Sequence, residues 1–391
     1  MRMELQEKLD STSIDLEETN RHKPLTPGSR AQSRFKSYSR TETQNAEQNV
    51  EYKILDYSEV TEQESTVIGR KGKGISPPQF NQPVSVAINH SIHLYVADYG
   101  NYRIHVITAD GKVQKQPLNI GGKCRPCALA ISCRGELAMT DSQIIRVFNK
   151  NGEFLRPILP VYSKNDRRPE LCSIAFDSSC CIYTGDKANH RIQKFSFEGN
   201  FLHFIGGPEE ISYPIGIAVT KHGDVIVSDY MKHHLRVFFS ERSLEAKTIG
   251  SKGIGVCKFA YPRGIALDHQ ENILVADSQN HRIQVVTIEG EYLGSFGTVG
   301  DDHGSFNAPY DVAIDKDNNI IVADTKNHRL QVFSRLVPVY AIHNSNGNET
   351  VNGNSDERDE NENINGNIED KYDGNKNMIG NLMKETARMK I

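Results

Sequence analysis

The chain has 391 residues, 37% of them hydrophobic and 25% charged, with 30 Gly, 15 Pro and no Trp, which excludes fibrous and wholly disordered classes and leaves room for a sizeable core. Its formal net charge of -4 is unevenly spread: residues 66–343 hold 31 Lys and Arg against 27 Asp and Glu, and residues 344–391 hold 6 against 10. No apolar run approaches the roughly 18 to 20 residues of a membrane span, and Glu4, Glu7, Asp10, Asp15, Glu17 and Glu18 stand where a secretory signal would be apolar. Seven Cys, an odd number, do not make a disulfide framework. The expectation is a soluble, cytoplasmic protein with no membrane association.

Residues 1–50 lack hydrophobic periodicity and include the Arg-, Ser- and Pro-rich stretch RHKPLTPGSRAQSRFKSYSR, so they read as a disordered, partly basic arm. Residues 51–65 read as a linker. At the far end, residues 344–391 hold 12 Asn and read as a disordered, Asn-rich acidic tail.

Residues 66–343 repeat. Pro83-Val84-Ser85-Val86-Ala87 recurs at Pro126, Leu171, Pro214, Pro262 and Pro309. Fifteen residues after each anchor stands an Asp (Asp98, Asp141, Asp186, Asp229, Asp277, Asp324), and five beyond it an Arg (Arg103, Arg146, Arg191, Arg282, Arg329), with His234 in the fourth copy. Each copy contains short apolar runs such as Ile265-Ala266-Leu267 and Ile273-Leu274-Val275-Ala276, broken by Gly, Asp and Asn turn signals. Four strands in about 45 residues predict one blade of a β-propeller, and six copies predict an all-β, six-bladed ring. The last copy lacks a fourth run, while Thr66-Val67-Ile68-Gly69 stands unpaired before the first. This N-terminal strand is predicted to complete the final blade and close the ring.

The strings Tyr261-Pro262-Arg263-Gly264-Ile265-Ala266, Asn280-His281-Arg282-Ile283, Asn327-His328-Arg329-Leu330 and Asn189-His190-Arg191-Ile192 resemble the NHL repeat. The run Val67-Ile68-Gly69-Arg70-Lys71-Gly72-Lys73-Gly74 followed by Phe80-Asn81-Gln82-Pro83 is similar to the start of the propeller in TRIM-NHL proteins. That resemblance implies a binding module of ubiquitin ligases or messenger-RNA regulators. A RING finger needs about eight Cys and His ligands, whereas residues 1–65 hold no Cys and only His22, so ligase activity would need a longer isoform or a partner.

One Asp and one Arg per copy read as a structural device, an Asp capping backbone N–H groups and braced by a guanidinium, because catalysis needs a single asymmetric constellation. Cys124-x-x-Cys127 has no second Cys pair and reads as ordinary thiols, as Cys180-Cys181 reads as packing. His190, His281 and His328 fall in separate blades, too far apart for one metal, so neither metal nor cofactor is expected.

The loops leading into the innermost strands supply Arg125, Tyr213, Tyr261, Arg263 and Tyr310, and the loops between second and third strands supply Tyr99, Tyr102, Lys187, Tyr230, Lys232, His233 and Lys326. These predict one binding face. Its mixture suits single-stranded RNA, phosphates on Lys and Arg and bases on rings, and equally a protein interface anchored by Tyr and Arg. DNA is not expected. A metal-dependent lyase or hydrolase on the same scaffold is the third reading.

Overall fold

The computed structural model describes residue 57 and residues 65–118, 120–122, 124–240 and 246–334. The arm over 1–50, most of the linker and the tail over 344–391 lie outside the described residues.

The described chain forms six four-stranded antiparallel sheets in sequence order. Blade 1 comprises Pro83–Ile88, His93–Asp98, Arg103–Thr108 and Val113–Leu118, and blade 2 Ala128–Ile131, Leu137–Thr140, Ile145–Phe148 and Phe154–Ile158. Blade 3 comprises Leu171–Phe176, Ile182–Asp186, Arg191–Phe195 and Phe201–Ile205, and blade 4 Pro214–Val219, Val225–Asp229, His234–Phe238 and Lys247–Ile249. Blade 5 comprises Pro262–Leu267, Ile273–Asp277, Arg282–Val286 and Tyr292–Phe296. Blade 6 takes Pro309–Ile314, Ile320–Asp324 and Arg329–Phe333 from the end of the repeat region and Ser65–Ile68 from its start. The innermost strands neighbour one another in a closed cycle, so this is the predicted six-bladed propeller.

The predicted closure is present: Ser65 pairs with Phe333, Thr66 with Val332, Val67 with Gln331 and Ile68 with Leu330. It removes the free edge of blade 6 and ties both ends of the ring into one sheet.

The hydrophobic core is divided among the six seams between blades. Strand periodicity explains this. On the second strand of blade 5, Leu274 and Ala276 pack toward blade 6, while Ile273 and Val275 pack toward blade 4. Each such strand is buried on both faces, which is why these runs read as continuously apolar.

A residue ahead of the closing strand joins the core. Tyr57 is buried in the seam between blades 5 and 6, and its hydroxyl donates to Asp268 Oδ2 at 2.5 Å. A Cβ on Gly294 would stand 2.7 Å from Tyr57 Cβ, so the glycine in the outer strand of blade 5 makes room for this side chain.

The structure corrects the reading of Cys180 as simple packing. Cys180 is disulfide-bonded to Cys133, joining the inner turns of blades 3 and 2, while Cys124, Cys127, Cys172, Cys181 and Cys257 are free.

Candidate functional site: the loop face

Register places the face. Pro83 pairs with Asp98, Pro214 with Asp229, Pro262 with Asp277 and Pro309 with Asp324, so the loops into the inner strands and those between second and third strands share one end of the ring. The repeated Asp fastens these loops together. Asp98 accepts the Asn81 N–H at 2.7 Å, Asn101 Nδ2 at 2.8 Å and Arg103 Nε at 2.9 Å. Asp277 does the same with Ala260, Asn280 and Arg282, and Asp324 with Asn307, Asn327 and Arg329.

In blades 1, 5 and 6 the guanidinium continues to carbonyls of the preceding hairpin: Arg103 to Lys73, Gly74 and Gln79, Arg282 to Gly255 and Lys258, and Arg329 to Asp301, Asp302 and Ser305. Blade 2 departs: Asp141 caps its own turn at Gln143 and Ile144 and meets Arg146. Asp186 accepts from Glu170 and Asn189, with Arg191 Nε at 3.8 Å.

The histidines form a second repeat. His233, His281 and His328 take left-handed φ near +57°, and their Nδ1 atoms accept the N–H of Tyr261, Ala308 and Gln82, each the residue before the next blade's Pro. His233 is thus buried beneath the face, its ring 4.3 Å from that of Tyr261, and supports the surface rather than presenting itself to solvent. Burial holds His233 and His328 below the ordinary imidazole range, as befits rings that accept a hydrogen bond.

On this frame the aromatic and basic side chains meet in two groups. Arg125 stacks on Tyr99 and Tyr102, with centroids at 4.7 and 5.0 Å, and donates to the Tyr102 hydroxyl at 2.8 Å. The other group is an arc across blades 3 to 6. Lys187 lies 5.4 Å from the Tyr213 ring, Tyr213 is 5.9 Å from Tyr230, and Tyr230 is 4.8 Å from Tyr261. Arg263 then bridges Tyr230 at 4.7 Å and Tyr310 at 4.0 Å.

Lys187 is also paired with Glu170 at 2.9 Å. Lys232 donates to the Glu209 carbonyl, and Lys326 is exposed on the single turn Thr325–Asn327 of blade 6. Neither joins the arc.

Inside the ring the inner strands line a channel cavity of about 100 Å³. Burial pushes the Cys127 thiol to about 11 and that of Cys172 to about 12, so both are neutral and poorly nucleophilic near pH 7. Asp311 was missed from the sequence. It accepts Ser85 Oγ at 2.8 Å and the Val86 N–H at 3.0 Å across the closing seam, and burial raises its carboxyl to about 6. A signal existed, because the other copies hold Ser85, Ala128, Ser173, Gly216 and Gly264 there, a lone carboxylate among small residues. Among the described residues no three His, Cys, Asp or Glu side chains converge to hold a metal.

The two ends of the ring differ in charge. The loop face carries Lys71, Lys73, Arg125, Arg167, Arg168, Lys252, Lys258, Arg263 and Lys326, set against Asp166, Glu170, Glu209, Glu210, Asp301 and Asp302. The turns at the opposite end are dominated by carboxylates, among them Asp110, Glu153, Glu198, Asp224, Glu271, Glu289, Glu291 and Asp317.

A closed six-bladed ring, a stapled loop face and a narrow thiol-lined channel define a β-propeller of the repeat-built kind. Residues 212–238, 259–286 and 306–333 match the NHL repeat, and the chain is an NHL-repeat β-propeller protein. It is similar to the E3 ubiquitin-protein ligase TRIM32 of Homo sapiens, 31% identical over 96 residues, which are 20% of this chain and 15% of that protein. The Mus musculus counterpart is 30% identical over the same length, so the alignment spans 15% of either relative. Among solved structures, a gluconolactonase from Xanthomonas campestris superposes with a TM-score of 0.52 at 14% identity, covering 65% of this chain and 86% of that one. A streptogramin B lyase gives 0.51 at 12%, covering 68% and 96%. At such identities these two share the fold alone.

Proposed function

We propose that this chain is a non-catalytic, cytoplasmic recognition module that holds a protein partner in ubiquitin-ligase-linked regulation through its loop face. The observation that carries this reading is the arc Lys187–Tyr213–Tyr230–Arg263–Tyr310, whose rings and cations hold one another in place before any ligand arrives. Tyr and Arg fixed in this way are the usual anchors of a binding hot spot, because little rotamer freedom remains to be lost. The similarity to TRIM32 over 96 residues supports the ubiquitin connection. The test is cross-linking mass spectrometry on the full chain in cells. Ligase subunits or ubiquitylated substrates should cross-link at the loop face, and Tyr230→Ala with Arg263→Ala should lower their recovery more than tenfold, about 2 kcal/mol or more at a hot spot. Cross-links confined to the acidic end would sink the proposal.

Single-stranded RNA is the second reading, favoured by the concentration of Lys and Arg on the face that also carries the rings. It requires affinity that falls steeply with salt, with log–log slope of about −0.7 per phosphate contacted. A salt-insensitive interaction, or no RNA recovered by ultraviolet cross-linking, leaves the protein reading standing alone. The lyase or hydrolase reading draws on fold likeness only.

A further inference from the structure

Among the described residues the rim of the ring carries a concavity where the repeat is broken. In blades 1, 5 and 6 a hairpin fills the space beside the repeated Arg and takes up its donors. Blade 3 lacks that hairpin, and a pocket of about 450 Å³ opens between the loop into blade 3, its second-to-third-strand loop and the connection to blade 4. This is within the range of small-ligand sites.

Its polar groups are held and only partly used. The Arg191 guanidinium lies 3.7 Å from the centroid of Phe204 and donates one N–H to Asp166 Oδ2 at 2.6 Å, while its buried Nε makes no hydrogen bond and faces Asp186 Oδ2 at 3.8 Å. Arg167 is fixed at its backbone, where Asn189 accepts its N–H and donates to its carbonyl, both at 2.9 Å, and its exposed side chain lines the pocket. His190 breaks the histidine repeat as well. Its Nδ1 donates to the Ser212 carbonyl at 2.5 Å where the other histidines accept, which leaves its Nε2 an acceptor. Arg191 faces two carboxylates, Asp166 at 2.6 Å and Asp186 at 3.8 Å, so the guanidinium of Arg167 is the cation at the mouth of the pocket that stands apart from this group.

We propose that this pocket binds a phosphorylated side chain of a partner peptide, the phosphate on Arg167 and Arg191 and the body of the residue against Phe204. Planar guanidinium groups held by stacking and backbone brackets are suited to forked contacts with phosphate oxygens. The inference rests on the protein-partner reading and names a chemical feature of that partner.

The test uses the isotope-labelled full chain titrated with N-acetyl-phosphotyrosine amide, its phosphoserine and unphosphorylated tyrosine counterparts, and inorganic phosphate. Saturable amide shifts confined to residues 163–167, 188–191 and 204–208 are expected with the phosphorylated amides, at least tenfold tighter than with the tyrosine amide. Arg167→Gln, at an exposed position, should weaken binding at least fivefold with an unchanged circular dichroism spectrum. Binding of inorganic phosphate as tight as that of both amides, equal binding of the tyrosine amide, or displacement of the phosphorylated amide by oligouridine at equimolar concentration would each overturn the assignment, the last by giving the pocket to RNA. The amides need no protein partner, so failure here is distinguishable from failure of the partner cross-linking through Tyr230 and Arg263.

Discussion

Blades 4 and 6 place the same Asp on the same turn and satisfy it differently. Asp324 in blade 6 accepts the Asn307 N–H, Asn327 Nδ2 and Arg329 Nε, and Arg329 goes on to three hairpin carbonyls while itself 7% exposed. Asp229 in blade 4 accepts only backbone donors, from Ser212 at 2.6 Å and from Tyr213 and Lys232 at 3.1 Å. His234 stands where Arg329 does, with its Nε2 buried and unpartnered. The backbone cap is therefore the constant part of the repeat and the cation a variable brace. Burial raises the Asp324 carboxyl despite the adjacent guanidinium, so desolvation outweighs pairing there. The ion pair adds less net stability than its geometry suggests, but it makes the loss of one partner severe.

Removing each carboxylate tests that distinction. Asp324→Ala strands a buried guanidinium and should cost about 3 to 5 kcal/mol in urea unfolding of the full chain. Asp229→Ala strands backbone N–H groups and no cation, and should cost about 1 to 3 kcal/mol. Equal losses would mean that Arg329 has another anion to fall back on, and the division into cap and brace would fail.

Asp311 extends the comparison to a carboxylate with no cation among its hydrogen-bond partners. Its folded value of about 6 lies above the ordinary value near 3.9, so the folded state binds more protons and stability falls as pH climbs from about 4 through 6. Asp311→Asn keeps an acceptor for Ser85 and Val86 and removes the buried charge, while its amide nitrogen replaces the oxygen that accepts the Val312 N–H at 3.0 Å. It should be more stable than the parent at pH 7 by about 1 to 2 kcal/mol, below the full value of the shift because the side chain borders the channel. The gain should vanish below pH 4. A gain independent of pH would show that charge burial is not its cause.

The fold was legible because its information is periodic. Six anchors, six Asp at fixed spacing and the unpaired Thr66-Val67-Ile68 run define blade number and closure without any knowledge of side-chain geometry. The loop residues were legible as a set, since register forces Tyr213, Tyr230, Arg263 and Tyr310 to one end of the ring. Their partition was not: Arg125 stacks apart with Tyr99 and Tyr102, and His233 turns beneath Tyr261. Those outcomes go with left-handed backbone conformations at Tyr102, His233 and Tyr261, which a tyrosine in particular does not advertise. Tyr57, Cys133 and the blade 3 pocket were invisible for a related reason. Each departs from the repeat, and a single departure has no second copy to mark it.

The smallest effect should come from restoring the brace. In His234→Arg the new guanidinium would start five residues after Asp229, the spacing at which Arg103, Arg282 and Arg329 place Nε 2.9, 2.9 and 2.7 Å from their Asp. It would also remove an imidazole that burial holds below its ordinary range. Blade 4 differs from blades 1, 5 and 6 in the loop it meets: the Gly207 carbonyl already accepts the N–H groups of Glu210 and Ile211, so fewer carbonyls remain to receive the guanidinium. With one ion pair gained and few further acceptors, stabilisation of about 0.5 to 1 kcal/mol is expected, read as a shift in the urea midpoint at unchanged slope. A gain as large as the loss in Asp324→Ala would contradict the view that pairing and desolvation nearly cancel at these turns. A net loss would show that blade 4 is shaped around His234, with the brace excluded by packing rather than merely absent.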